Sequence, residues 1–472
     1  MLLCLVCFVG GHGSSRSRIL SPVTAPYISD LADNPLWELI EFSQSDLDAA
    51  RQGTYRARGD DAVSSLYARV DKMSKHLELQ KLVVYGLAIT HLGTGPTHQY
   101  IHLGWFRAMV DISLERWSRL QSGEGASASS MRACWFDSSN NVQAYDLNHA
   151  LVFVSPGHFA TTIKALPYSP TAFYVSHGGF ESKDNSIPAL LQAAKLKHAI
   201  RYEKPDAREV DRAGVRSPRY TLYVPKTRIL YQYWATDLTA REIEARKESV
   251  RSKEQLTART KEVSFVGSVW SGNWDMFLVF EAAAARVGLG LHHYGQVLAG
   301  GSVSPAAFVS RALSCGLTSC CSVFAALRPT CGRTVLDAAK INAACLLAPS
   351  VQGSGQVEEQ YVPCRIFKTT SAGALPLSNN PAVARVFPDG QAPIIVPHAE
   401  VEEDAMVQLL QQGADLMRDH IDLAQEKILA AMKHVQEEHT YLSRIVAALT
   451  VFDCENGGDG GGASMDAFCF DS

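Results

Sequence analysis

KLVVYGLA, residues 81–88, runs into ITHLGTGPTHQY (89–100) and then IHLGWFRAMVDISLERW (101–117). A short apolar run bounded by glycine reads as a buried strand, and the segment beyond the loop has the spacing of an amphipathic helix. Strand, glycine loop and helix in that order open an α/β unit. ALVFVSPG (150–157), TAFYVSHGG (171–179) and RILYQYWA (228–235) repeat the strand signal, each ending in small, polar or histidine residues. Ligands of open α/β sheets sit beyond the carboxyl ends of the strands, so those endings carry information.

A second series begins at VSFVGSVWSGN (263–273) and continues through LGLHHYGQV, CLLAPSVQG and ALPLSNN. Between the two series lies DLTAREIEARKESVRSKEQLTARTKE (237–262), charged and helical in pattern. The expected organisation is a helical extension over 1–78, a Rossmann-like domain over 79–240 and a helical linker over 241–262. A second Rossmann-like domain follows over 263–400, then helices over 401–453 and a glycine-rich disordered tail over 454–472. In the extension, Asp46-Leu47-Asp48 matches a short acidic motif of metal-dependent sugar transferases, but its helical setting reads as a solvated face.

The 472 residues are 46% hydrophobic and 19% charged, enough for two or three domains with large cores. A net charge of -4, without a Lys/Arg cluster, excludes a general nucleic-acid binder, so any anion site must be local. Eleven cysteines without paired spacing read mostly as buried thiols. MLLCLVCFVGGHGSS at the start lacks a basic n-region, which makes it a weak signal-peptide candidate, and is too short to span a bilayer comfortably. No Asn-x-Ser/Thr sequon occurs, and the reading leans to the cytoplasm or the cytosolic side of the endomembranes, with membrane association unsupported. Residues 302–332 hold four cysteines in no standard metal spacing and read as an insertion into the second domain.

YVPCRIFKTTSAGALPLSNN (361–380) carries the clearest chemistry. A helix starting with Pro363 at its first position sets Arg365, Lys368 and Thr369 on one face, and Gly373 ends it. Two cations and a hydroxyl at the positive end of a helix dipole suit a phosphate. The alternative is a surface helix with two solvated cations.

In order, the chain reads THQYIHLGW, YDLNHALVFVSP, YVSHGG, YQYWATDLT, FVGSVWSGN, LAPSVQG, PCRIFKTTSAGALPLSNN and HTYLSRI. This series resembles GT-B glycosyltransferases, with a second domain of the glycosyl-transferases-group-1 type found in spore-maturation-like proteins. The resemblance covers roughly residues 80–450 outside the insertion. It implies two Rossmann-like domains facing across a cleft, with the C-terminal helices packing back toward the first. It implies a nucleotide-diphospho-sugar donor on the second domain, a carbohydrate or other hydroxyl acceptor on the first, and no cofactor or bound metal. Arg365, Lys368 and Thr369 would then bind the leaving diphosphate. Many relatives carry a ribose-binding Glu where this chain has Lys368, which cannot accept those hydroxyl bonds.

By the same resemblance Gly267, Gly272 and Asn273 would line the donor, as would Gln352 and Gly353. In the first domain Gly95 and Thr97 would form a ligand loop, with His98 contacting the donor or polarising the leaving phosphate; the alternative is a histidine that caps the helix or is satisfied in packing. His177, before two glycines, would take the acceptor's proton, or is a structural histidine at a strand end; His149 and His158 are weaker candidates. Trp234 would stack on a sugar or base and Asp237 would face the joint, or the pair would serve hinge packing with Asp237 as a helix cap. Rival readings are a nucleotide-sugar isomerase or hydrolase on the same fold, and a non-catalytic binding protein.

Overall fold

A computed structural model describes residues 23–24, 40–56, 61–85, 98–123, 131–136, 146–154, 171–177, 198–201, 221–224, 228–267, 269–270, 273–294, 297–298, 335–358, 360–388, 390–391, 393–395 and 402–457. The insertion over 302–332 and residues 458–472 lie outside them.

The first half of the chain builds one large sheet. Its strands are β1 (Val23–Thr24), β2 (Lys81–Tyr85), β3 (Arg132–Phe136), β4 (Ala150–Val154), β5 (Phe173–His177), β6 (His198–Arg201), β7 (Thr221–Val224) and β8 (Ile229–Gln232), in the order β1-β3-β2-β4-β5-β6-β8-β7. All neighbours run parallel except the edge strands β1 and β7. The chain steps from β2 to β3 on one side and then to β4 on the other. The crevice at the carboxyl ends of β2 and β4 is therefore a topological switch point. The segment that leaves β2 carries Gly95 and Thr97, outside the described residues.

Helices α1 (Gln44–Arg51) and α2 (Asp61–His76) lie between β1 and β2, and α3 (His98–Gln121) follows β2. The expected amphipathic pattern of α3 is not what the structure contains: residues 102–116 are all buried. The helix lies between the sheet and further helices, so its charges Arg107, Asp111, Glu115 and Arg116 are interior groups that imitate a polar face in the sequence. Trp105 packs 4.3 Å from the Phe153 ring of β4. Asp46 is no solvated acid either, because it closes the Ser43 capping box of α1 and pairs with Arg241.

The joint carries α4 (Ala240–Arg251) and α5 (Lys253–Thr257). Thr239, not Asp237, caps α4, in a capping box with Glu242. β9 (Thr260–Val266) begins inside the expected linker range. After it come β10 (Val269–Trp270), α6 (Trp274–Val287), β11 (Gly290–Tyr294), β12 (Val297–Leu298), α7 (Val335–Ala344) and β13 (Cys345–Leu347). β11-β9-β13 form a parallel sheet with the same connectivity as the first: second strand to one side, third to the other. Its switch point lies between β9 and β13. Then follow α8 (Ser354–Glu358), α9 (Cys364–Ser371), β14 (Leu377–Ser378), a 3-10 turn (Pro381–Val386) and β15 (Ile394–Ile395). The chain closes with α10 (Glu403–Asp419), α11 (Ile421–Glu438) and α12 (Tyr441–Glu455), the last reaching past the expected boundary at 453.

α12 returns to the first sheet. Tyr441 sits 5.2 Å from Trp105, against Gly104 of α3, where an added Cβ would overlap its ring. Phe452 meets Phe173 of β5 at 5.0 Å. No helix of the described residues is long and apolar enough to cross a membrane.

Candidate functional site

Four N–H groups at the start of any helix lack intrahelical partners. In α9 these follow Pro363, which is the extended N-cap rather than the expected first helical residue and offers no side-chain cap. Gly373 ends the helix at φ +80, the left-handed position that glycine takes without a Cβ clash.

From this first turn Arg365 reaches the second switch point. Its Nε donates to the Val266 carbonyl at the end of β9 at 3.0 Å, and Nη1 approaches the Val351 carbonyl beyond β13 at 3.5 Å. The guanidinium lies 4.1 Å over the Phe265 ring. Gly267 faces it at φ +150, a conformation for glycine alone, and a Cβ there would collide with Arg365. The sequence reading gave this glycine to a donor; in the structure it admits the arginine. Among the described residues no carboxylate pairs with Arg365, and burial pulls its guanidinium below its usual pKa. A partly buried cation held by carbonyls and an aromatic face remains able to accept an anion.

His293, at the end of β11, completes the rear of this crevice and escaped the sequence reading. Its Nε2 lies 2.7 Å from the Gly267 carbonyl, to which it donates. Burial foremost, with Arg365 adding its charge, pushes it down to about 4 against that hydrogen bond, so it is neutral at pH 7. The signal was the His-His pair of LGLHHYGQV, whose second member the strand's two-residue period turns inward.

Lys368 and Thr369 take other roles than those expected. Lys368 Nζ is 2.5 Å from Asp237 Oδ2, so its charge is already neutralised. Thr369 is buried and its hydroxyl donates to the Arg365 carbonyl at 2.9 Å. A hydroxyl has one proton, and this one stays within the helix. Of the three residues on the expected phosphate face, Arg365 alone is left for a ligand.

Gln352 is buried with both ends engaged: its Nε2 donates to the Tyr361 carbonyl at 3.0 Å and its Oε1 accepts from Asn380 at 2.8 Å. Asn379 clamps the Gln352 backbone at both its N–H and its carbonyl. The amide therefore fixes the loop that presents the Val351 carbonyl and, at 1% exposure, is not presented to a base or ribose. Gly353 starts α8, its carbonyl accepting from Gln356 and Val357. Asn273 caps α6 by position, without a side-chain cap bond. Gly272, His158, Gly95 and Thr97 lie outside the described residues. His98 is the first residue of α3, His177 the last of β5, and His149 precedes β4 at φ 53.

Trp234 and Asp237 belong to the segment that joins the halves. Arg444 of HTYLSRI donates to the Tyr233 and Trp234 carbonyls at 2.8 Å each. His439 donates to the Val386 carbonyl, accepts from Arg444 at Nδ1 and stacks on Phe367 at 4.3 Å. Burial first, then Arg444 and His434, hold it well below the usual histidine range. Thr236 bonds Ser371 of α9 at 2.6 Å. Burial raises the Asp237 carboxyl against the pull of Lys368 and Arg107. This motif is thus a clamp that seats α12 and α9 on the joint. Among the described residues no His, Cys, Asp and Glu cluster could hold a metal ion.

No protein-family model and no curated protein matches the chain. Solved structures similar to parts of it include the following two. One is a TarM mutant of S. aureus in complex with fondaparinux, alpha-GlcNAc-glycerol and UDP, at 12% identity over 65% of this chain and TM-score 0.40. This chain spans 55% of that protein's length. The other is the catalytic domain of starch synthase IV from Arabidopsis thaliana bound to ADP and acarbose, at 11% identity over 75% of this chain and 78% of that one, TM-score 0.34. At such scores the likeness decides nothing, and function is read from this chain's own residues.

Proposed function

We propose that the chain is a glycosyltransferase of the GT-B class, moving a sugar from a nucleotide-diphospho-sugar to a hydroxyl acceptor. The observation that carries this reading is Arg365, a cation that has no carboxylate partner among the described residues, at the switch point of a parallel sheet. A diphosphate supplies the missing negative charge. When the bond between the sugar carbon and the phosphate oxygen breaks, its electron pair leaves with the diphosphate, and the new charge develops against a fixed guanidinium. Such a cation stabilises the transition state more than the bound donor. The acceptor oxygen bonds the sugar carbon and its proton passes to His177. His98, opening α3 beyond the first switch point, contacts the leaving phosphate. Gly267 contributes by admitting Arg365, and Lys368 by holding Asp237.

Calorimetry with UDP, ADP and GDP tests this on the wild type and on Arg365→Ala. One diphosphate should bind, and the variant should weaken it by about 1.5–3 kcal/mol, the worth of a charge-assisted contact. Transfer of the sugar to an added acceptor separates a transferase from an isomerase or hydrolase. Binding without turnover would instead identify a binding protein. If none of the three binds the folded chain, the proposal fails.

A further inference from the structure

Buried polar atoms almost always have hydrogen-bond partners, and each exception calls for an explanation. Two exceptions fall within six residues of one another. Gln232, the last residue of β8, is 3% exposed, and neither its Oε1 nor its Nε2 has a partner. Asp237 is 5% exposed, and its Oδ1 has none, although Oδ2 meets Lys368. Leaving such a group unpaired costs about 1–3 kcal/mol. A chain under no other demand would carry leucine or methionine at position 232.

The position of these atoms limits what they serve. Gln232 ends a parallel strand at the carboxyl edge of the first sheet, where ligands of such sheets bind. The residues after it face the second half: Trp234 lies close enough to Tyr361 to influence its phenol, Thr236 bonds Ser371, and Asp237 meets Lys368. Arg365 lies close enough to Tyr361 to influence its charge. The segment thus runs from the sheet edge toward the anion site.

Their chemistry limits it further. The amide offers two donors and an acceptor, and the carboxylate oxygen accepts only. A phosphate accepts only and would be repelled by Asp237. A metal ion would meet the Lys368 ammonium 2.5 Å from the same carboxylate. A pair of sugar hydroxyls, each donor and acceptor, satisfies all the unpaired atoms. We infer that Gln232 and Asp237 bind hydroxyls of the sugar carried by the donor, beside the diphosphate held by Arg365. This rests on the transferase reading above.

The test is calorimetry of UDP, ADP, GDP, UDP-glucose, ADP-glucose and GDP-mannose against the full chain and Gln232→Leu, with thermal melts of both ligand-free proteins. The variant should bind the nucleotide sugar about 10-fold more weakly, the loss of one or two hydrogen bonds, and the parent diphosphate equally well. Its ligand-free melting temperature should rise, because the unpaired amide is gone. Equal affinity for the sugar nucleotide in both proteins, with the diphosphate still bound through Arg365, overturns this inference alone. Failure of every diphosphate to bind overturns the transferase reading and this inference with it. A fall in melting temperature with parallel losses for diphosphate and sugar nucleotide would make Gln232 a structural residue, and would also overturn it.

Discussion

Two arginines divide the molecule. Arg107, in the middle of α3, has a side chain with 0% exposure and is surrounded by acceptors: Glu242 at 2.5 Å, Glu41 at 3.9 Å, and the Asp237 and Ile40 carbonyls. Burial pulls its pKa down, but the carboxylates outweigh burial and the pKa rises. Arg365 has two carbonyls and a ring, and its pKa falls. The first cation is complete without a ligand and ties the N-terminal helices, α3 and the joint together. The second is incomplete. A buried charge whose partners come from the protein is structural, and one that lacks a counter-charge marks where something else binds.

Removing the first should therefore have the larger effect on stability. Arg107→Leu strands Glu242 and Glu41 without their cation and should destabilise the chain by about 3–5 kcal/mol, read from the urea midpoint. A shift below about 1 kcal/mol would mean that those carboxylates find water and that the contrast is false.

Gly104→Ala probes the packing around the same region without touching charge. Its methyl would enter the Tyr441 ring, so α12 must shift away from α3. Overpacking of this kind costs about 1–3 kcal/mol. An unchanged melting temperature would show that α12 is not seated where the Trp105–Tyr441 contact puts it.

Arg365→Leu should cost the ligand-free chain no more than about 1 kcal/mol, since it removes two hydrogen bonds to carbonyls and a desolvated charge together. A loss as large as that of Arg107→Leu would reassign Arg365 to structure.

The same contrast explains what the sequence disclosed. β2, β4, β5, β8 and β9 were legible because each is an apolar run beside glycine or a polar turn. β3 (RACWF) and β6 (HAIR) carry charge or histidine, and β7 (TLYV) is only four residues long, so no run stands out. α3 looked amphipathic because interior Arg107 and Asp111 cannot be told from surface charges without knowing what pairs them. Arg365 was legible from helical spacing. The fate of Lys368 was not, because Asp237 belongs to another segment and only tertiary structure brings them together. Gln352 looked available for the same reason: Asn380, 28 residues on, occupies it. The two orphan atoms of Gln232 were invisible for the converse reason, since a polar residue at a strand end looks satisfied by default.

Acid acts on the two regions with opposite sign. Asp111 of α3, held by the Tyr55 and Tyr67 hydroxyls, is pushed up to about 6, by burial above all. A raised carboxyl contributes stability that is present below its unfolded value near 4 and lost as pH rises through 6, so the first region gains as pH falls from about 6 to 4. His293 has the opposite shift. Its pKa is lowered from 6.5 to about 4, so its contribution is present above 6.5 and is lost as pH falls toward 4, about 3 kcal/mol over that window. His439 has a pKa lowered further and loses in the same direction from 6.5 downward. The Asp111 and His293 contributions offset, and His439 leaves a net loss on the side of the second sheet. Hydrogen exchange corrected for intrinsic rates, compared at pH 6.5 and 4.5, should show β9, β11 and α12 losing protection while α3 retains it. Asp111→Asn should remove the offset and steepen the acid loss of global stability over the same window. Uniform loss across both sheets, or an unchanged slope in that variant, would mean that the buried charges of the first region and the buried histidines of the second do not titrate as separate units.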